Sequence, residues 1–353
     1  MRFLLLLLLL AAPARAAPFE EVFTAARIPG GPAGGLGIAF TKDYRGAVPH
    51  AAIAFSRGED GRSAWAFVGG RASPEAAERD ALARCQARAA GLPGAAPCQV
   101  LARDAAIPGG PEAAPVEGRI GPFRFSPFHA RHGGAARGAV VWGHGYGGPE
   151  RDLRDAALPG FLSALNEAGW DILRFDRHPG DDGLATSLPR LARALPALRE
   201  AGYARIVLGG QSRGGWQAML AAAEQPDLVA AVIATAPAAH GDAGRPNNHG
   251  AAPDDWRRAL AALAATPVRL AVAVFEDDPF DPDPAGRARA VALLDEGREA
   301  PALAIWPRRP VAGHAGAGDW RFTRDHAACI LTLVQAPAAG APRGLRRDSC
   351  GGG

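Results

Sequence analysis

An apolar run, Arg205-Ile206-Val207-Leu208-Gly209, leads straight into Gly210-Gln211-Ser212-Arg213-Gly214, and a helix-like run from Trp216 to Glu224 follows. Strand, tight turn and helix in immediate succession constrain the fold more than any other feature of the chain. A strand that hands over to a helix across so short a turn belongs to a layered α/β arrangement, in which the helix packs back on the sheet. The glycines at 210 and 214 leave room where side chains would collide with the neighbouring strand and helix. Ser212 is thereby held on a sharp bend, close to the positive end of a helix. Glycine makes up 45 of the 353 residues, so Gly-x-Ser-x-Gly has a bland alternative, a glycine-rich structural turn. The flanking strand and helix favour a catalytic serine over it.

From about residue 119 the alternation repeats. Ala139–Trp142, Trp170–Phe175, Ala204–Leu208, Leu228–Ala234, Val268–Phe275 and Ala302–Trp306 read as strands. Leu153–Ala168, Leu188–Glu200 with an interruption at Pro196, the run after Ser212, Asp254–Ala264, Gly286–Glu299 and Phe322–Val334 read as helices. Strands that are apolar along most of their length, alternating with helices, predict a mostly parallel sheet covered on both faces.

Upstream the sequence changes character. Arg2, the apolar run Leu4–Leu10 and Ala14-Arg15-Ala16 have the charge, length and small-x-small ending of a removable export signal over residues 1–16. The run is too short to span a bilayer permanently, and no later stretch is long and apolar enough, so no membrane association is expected once it is removed. A periplasmic or secreted protein is the expectation. Residues 17–43 read as a flexible lead-in. A small α+β unit is predicted over 44–104, with strands at Ala51–Phe55 and Ala64–Val68, a helix opened by Ser73-Pro74-Glu75, and a returning strand at Cys98–Ala102. The Ala-, Pro- and Gly-rich stretch 105–118 reads as a linker to a catalytic domain over 119–340, with a tail at 341–353.

The four cysteines fall as two pairs close in sequence, Cys85 with Cys98 and Cys329 with Cys350, and no C-x-x-C spacing is present. Local disulfides are favoured over a thiol nucleophile or a metal site. The net charge of +3 falls to +1 without Arg2 and Arg15, which leaves no footprint for nucleic acid. Lys42 is the only lysine, so arginine carries the positive charge as a matter of coding bias, and a given arginine deserves less functional weight.

A serine that attacks an acyl carbon needs a base, an acid to orient the base, and donors for the oxyanion. The donor loop is Gly143-His144-Gly145-Tyr146-Gly147-Gly148, directly after a strand, and the N–H groups of Tyr146 and Arg213 are the expected pair. His144 reads as a strut that shapes this loop rather than as a base. The acid comes from Glu276-Asp277-Asp278-Pro279-Phe280-Asp281-Pro282-Asp283, with Asp278 favoured. The alternatives for that run are a solvated acidic loop or a calcium loop. The base is His314, in a glycine-rich loop after the last strand, because imidazole titrates near neutrality. His326 is expected on the final helix, facing away. The segment from Ala236 to Pro253 reads as a loop over the site, with a metal site at His240, Asp242 and His249 as a weaker alternative. His144, Gly145, Gln211, Trp216, His240 and His249 are the candidate substrate contacts. Arg177 to Asp182 reads as a polar turn, with the rim of the pocket as its alternative.

With these residues in place, positions 119–335 resemble the α/β-hydrolase superfamily, in its branch of esterases, lipases and dienelactone-hydrolase-like enzymes. The resemblance lies in His144-Gly145, in Gly210-Gln211-Ser212-Arg213-Gly214, in Asp278 and in His314. It implies a parallel eight-stranded type of sheet and hydrolysis of a small-molecule acyl substrate through an acyl-enzyme, with no metal or organic cofactor. The stretch with Cys85 and Cys98 resembles a small domain of unknown function found in exported bacterial proteins. An amidase or peptidase with the same triad, and a non-catalytic exported binding protein on the same fold, are the competing expectations.

Overall fold

The computed structural model of the protein describes residues 35–40, 44, 50–60, 62–104, 118–126, 129–149, 151–154, 156–242, 244–246, 248–296, 298 and 300–336. The expected export signal, most of the lead-in, the linker at 105–117 and the tail with Cys350 lie outside these described residues.

The N-terminal unit is a three-stranded antiparallel sheet in the order β2-β1-β3, with one helix across it. Its strands are β1 (Ala52–Arg57), β2 (Ser63–Val68) and β3 (Gln99–Arg103), and helix α1 spans Pro74–Ala89. Ser73 caps α1 by accepting from the Ala76 N–H, and Pro74 stands where a missing N–H costs nothing. The period of two along β2 sends Ala64, Ala66 and Val68 inward. Ala66 and Val68 pack with Ala52, Ala54, Ala77, Ala81 and Cys85. These side chains are too small to supply much apolar burial, so the Cys85–Cys98 disulfide (Cα–Cα 6.1 Å) between α1 and the start of β3 adds a covalent constraint. Cys329 is also disulfide-bonded.

The larger unit is built on an eight-stranded sheet in the order β13-β12-β9-β8-β6-β7-β5-β4. Its strands are β4 (Arg119–Ile120), β5 (Phe123–Phe125), β6 (Gly138–Gly143), β7 (Trp170–Phe175), β8 (Ile206–Gln211), β9 (Val229–Thr235), β12 (Arg269–Ala273) and β13 (Ala302–Ile305). A separate two-residue hairpin, β10 (Gly241–Asp242) with β11 (Arg245–Pro246), lies between β9 and β12. β5 alone runs against the rest of the main sheet. Every residue of β6, β7 and β12 is buried, the signature of a sheet covered on both sides.

Alternate residues feed two cores. Val141, Leu208, Val232 and Val272 pack on one face under α3 (Leu184–Glu200), α4 (Arg213–Glu224), α5 (Ala252–Ala264) and α6 (Pro284–Glu296). Val140, Val207, Ile233 and Ala271 pack on the other face under α2 (Phe161–Glu167) and α7 (Trp320–Gln335). Each such valine, leucine or isoleucine contributes about 1.5–3 kcal/mol by leaving water. The strand order and the single reversed strand make this an α/β-hydrolase fold.

Two helices differ from the sequence reading. The run from Leu153 is helical only from Phe161, because Pro159 and Gly160 oppose helix before that point. Helix α3 begins four residues earlier than expected and passes through Pro196 unbroken. Pro196 has no N–H for the Ala192 carbonyl, and the Gln225 side chain donates to it instead (Nε2···O 3.1 Å). Because the central strands are parallel, the loops after β6, β8, β12 and β13 all emerge at the same edge of the sheet, where ligands of open α/β sheets bind.

Candidate active site

The turn after β8 holds Ser212 at φ 56° and ψ −122°, a region that L-residues avoid. Such strain costs about 1–3 kcal/mol and persists where the surroundings impose it. The surroundings are visible: a Cβ on Gly210 would collide with the Gly214 backbone, and a Cβ on Gly214 with the carbonyls of Gly143 and His144. Only glycine at both positions lets β6, β8 and α4 come this close. The Ser212 N–H donates to Thr235 O (3.0 Å), while its carbonyl accepts from Trp216 (3.0 Å) and Ala238 (3.2 Å). Its side chain therefore stands at the head of α4. Arg213 is the first residue of that helix, so its N–H has no intrahelical acceptor.

The loop after β6, the expected donor loop, is fixed from behind. His144 is 7 % exposed, its Nδ1 meets Gly145 O (2.7 Å), and its Nε2 accepts from the Arg177 N–H (3.2 Å). This pattern requires a neutral ring protonated on Nδ1. Burial, with the Arg177 guanidinium beside it, pulls the His144 pKa down to about 3. Arg177 is fully buried and donates through Nη2 to His144 O and to Gly145 O (3.3 Å). The Gly145 carbonyl and the Tyr146 N–H belong to one planar trans peptide, so holding the carbonyl inward turns the N–H outward. Asp182 pairs with Arg177 Nε at 2.5 Å. Burial disfavours the charge on each partner, and each partner compensates the other. The segment is a polar turn, with His178, Gly180 and Asp181 exposed, and its two ends, Arg177 and Asp182, close beneath it as a buried ionic strut. Composition argued against weighting any one arginine, and only packing singles this one out.

The acidic loop after β12 sorts its carboxylates. Asp278 Oδ1 and Oδ2 lie 2.8 and 2.9 Å from His314 Nδ1, and Oδ1 also accepts from the Phe280 N–H (2.9 Å). Glu276 and Asp277 pair with Arg309 at 3.2 and 2.7 Å. Asp281 pairs with buried Arg287 (3.1 Å), and Asp283 accepts from the Gly286 N–H at the start of α6 (2.8 Å). The carboxylates thus turn to several partners rather than to one centre, and no group of three metal-ligating side chains occurs among the described residues. The two loops are also tied through their backbones, Gly313 N–H to Glu276 O at 2.7 Å. The Phe280 ring lies 4.3 Å from the His314 ring.

Gln211 links these parts. Its Nε2 donates to His314 O (3.0 Å), which sets the histidine loop beside the residue preceding Ser212. A Cβ on Gly145 would strike Gln211 Oε1 and come within 3.3 Å of Ser212 Cβ. Gly145 and Gln211 are therefore neighbours of the serine through packing. Tyr146 is exposed and carries the Arg213 guanidinium over its ring at 3.7 Å.

Three expected substrate contacts lie elsewhere. Trp216 is 3 % exposed and belongs to the core, with Trp256 at 6.0 Å and the His240 ring at 5.2 Å. It faces inward because α4 turns that side toward α5. His240 Nε2 meets Asp255 Oδ2 (2.6 Å), and His249 Nδ1 meets Gly241 O (3.1 Å). Both histidines serve to hold the segment after β9 together. His326, on α7, packs against Phe322 at 5.0 Å.

No family model matches the chain, and comparison with curated proteins finds no match. Among solved structures the chain is similar to the esterase Est22, with 16% identity over 61% of this chain and 76% of that one, at a TM-score of 0.43. It is similar to a monoacylglycerol lipase of Paleococcus ferrophilus, with 20% identity over 57% of this chain and 95% of that one, at a TM-score of 0.40. It is also similar to an esterase of Pyrococcus furiosus, with 14% identity over 60% of this chain and 86% of that one, at a TM-score of 0.43.

Proposed function

We propose that the protein is an exported serine hydrolase that cleaves a carboxylic ester, or a similar acyl bond, through an acyl-enzyme. The observation that carries this reading is the pair of contacts made by His314, whose imidazole meets the Asp278 carboxylate and whose backbone carbonyl accepts from Gln211, the residue before a strained serine. Asp278 on Nδ1 fixes the tautomer in which Nε2 is the basic atom. His314 Nε2 takes the Ser212 proton as Oγ attacks the carbonyl carbon. The tetrahedral oxyanion is met by the N–H groups of Tyr146 and Arg213, each worth about 2.7–4 kcal/mol in a comparable site. His314 then passes the proton to the leaving alcohol, the C–O bond breaks, and the acyl group remains on Ser212. Water attacks that ester with His314 again as base, and the carboxylic acid leaves with Ser212 reprotonated. This chemistry needs no metal and no organic cofactor. The Cys85–Cys98 disulfide supports export to an oxidising compartment. No helix among the described residues is long and apolar enough to cross a membrane.

The test is labelling by a fluorophosphonate, followed by rates on aryl esters. Wild-type protein is expected to label on Ser212 and to turn over the esters, and Ser212→Ala to do neither. A wild-type chain that neither labels nor hydrolyses would favour a binding protein on a hydrolase fold.

A further inference from the structure

A cavity of about 360 Å³ lies beside the elbow, within the size range of small-ligand pockets. Its walls include Trp142, Gly145, Gln211, Leu158 and Ala317, all from the larger unit, and Phe67 from the small N-terminal unit. Gly145 is shared with the candidate active site, since a Cβ there would touch Ser212 Cβ at 3.3 Å. The wall of the cavity thus passes beside the serine at Gly145 and includes Gln211, the residue before it. Most of the lining is apolar. Arg174, its buried cation, donates to Arg154 O (2.6 Å) and Ala156 O (2.7 Å), which fixes the loop forming one side.

Phe67 is held where it stands. The alternation of β2 sends Ala66 and Val68 toward α1, so Phe67 projects from the opposite face of the small sheet. It pairs with Ile53 across the β1–β2 ladder, and the Tyr44 ring meets it edge-on at 6.4 Å. The Tyr44 hydroxyl in turn donates to Asp104 O (2.6 Å) just after β3. The small unit therefore presents a fixed aromatic surface to a cavity that the larger unit leaves open on that side.

We propose that the small N-terminal unit is a wall of the substrate pocket, and that Phe67 sets the length of apolar acyl chain the enzyme accepts. This rests on the esterase reading. The unit is then part of the specificity apparatus of the hydrolase rather than a separate appendage.

The experiment uses the full chain as wild type, Phe67→Ala and Phe67→Trp. Each is reacted with a short-chain and a long-chain alkyl fluorophosphonate, and the ratio of long to short labelling rates is measured. Taking the ratio within each variant cancels any loss of folded protein. Phe67→Ala is expected to raise the ratio about tenfold and Phe67→Trp to lower it by a similar factor. Labelling of all three proteins at one common ratio overturns this inference and leaves the esterase reading standing. Failure of every probe to label wild type overturns the esterase reading, and this inference with it.

Discussion

His144 and His314 occupy matching positions in sequence: each follows a glycine in a loop after a strand of the central sheet. The fold gives them opposite environments. His144 is enclosed, with one ring nitrogen on a backbone carbonyl, the other on a backbone N–H, and a guanidinium beside it. His314 has a side chain 19 % exposed, a carboxylate on Nδ1 and an aromatic ring alongside. A donor aimed at Nε2 and a neighbouring cation suit a neutral strut. A carboxylate on Nδ1 suits the proton-shuttling role proposed for this ring. The residue type supplies the capacity, and the neighbouring charge decides how it is used.

The largest contrast is expected in turnover. His314→Asn should lower aryl-ester hydrolysis by about 10⁴–10⁶, as Ser212→Ala should, with little change in melting temperature. His144→Asn should cost less in rate and more in stability. Equal rate losses with unchanged melting for both histidine variants would erase the distinction. Asp278→Asn should follow His314 with a loss of about 10⁴ in kcat, because the amide favours the wrong tautomer. Asp277→Asn and Asp283→Asn should stay near wild type. If Asp277→Asn or Asp283→Asn proves as damaging, the acid is misassigned.

Next in size is the strut behind His144. Arg177→Met leaves Asp182 buried without its partner, and denaturant unfolding should report a loss of about 3–5 kcal/mol. Adding Asp182→Leu should recover much of the stability but not the rate, since the donor loop still lacks its clamp. Recovery of both would show that the pair acts on stability alone.

The last effect is a pH slope, small within any one pH unit. His144 takes up a proton near its ordinary 6.5 in the unfolded chain, but only near about 3 in the folded one. Between those values the unfolded chain binds more protons, so stability is complete above the upper value and falls as pH is lowered. The group contributes up to about 1.4 kcal/mol per pH unit across that window. Unfolding curves of His144→Asn, taken from neutral pH down through the window, should show a shallower slope than wild type. An unchanged slope would mean that other groups carry the acid sensitivity.

The sequence by itself determined the layered α/β class, the strand–turn–helix around Ser212, and the order in which serine, acid and histidine occur. These are local properties: apolar runs set strands, and glycines at 210 and 214 mark a turn that no other residue fits. The choice of Asp278 from its neighbours was legible only as a preference, because four aspartates within seven residues share one composition. Tertiary structure alone sorted them, by giving Asp277 to Arg309, Asp281 to Arg287 and Asp278 to His314. It alone drew Trp216 and His240 into the interior and made Arg177 a buried clamp. It alone brought Phe67 from the other unit to the cavity beside the serine. Local pattern is fixed by neighbours along the chain, whereas which charge meets which depends on segments tens of residues apart, and that pairing exists only once the sheet has assembled.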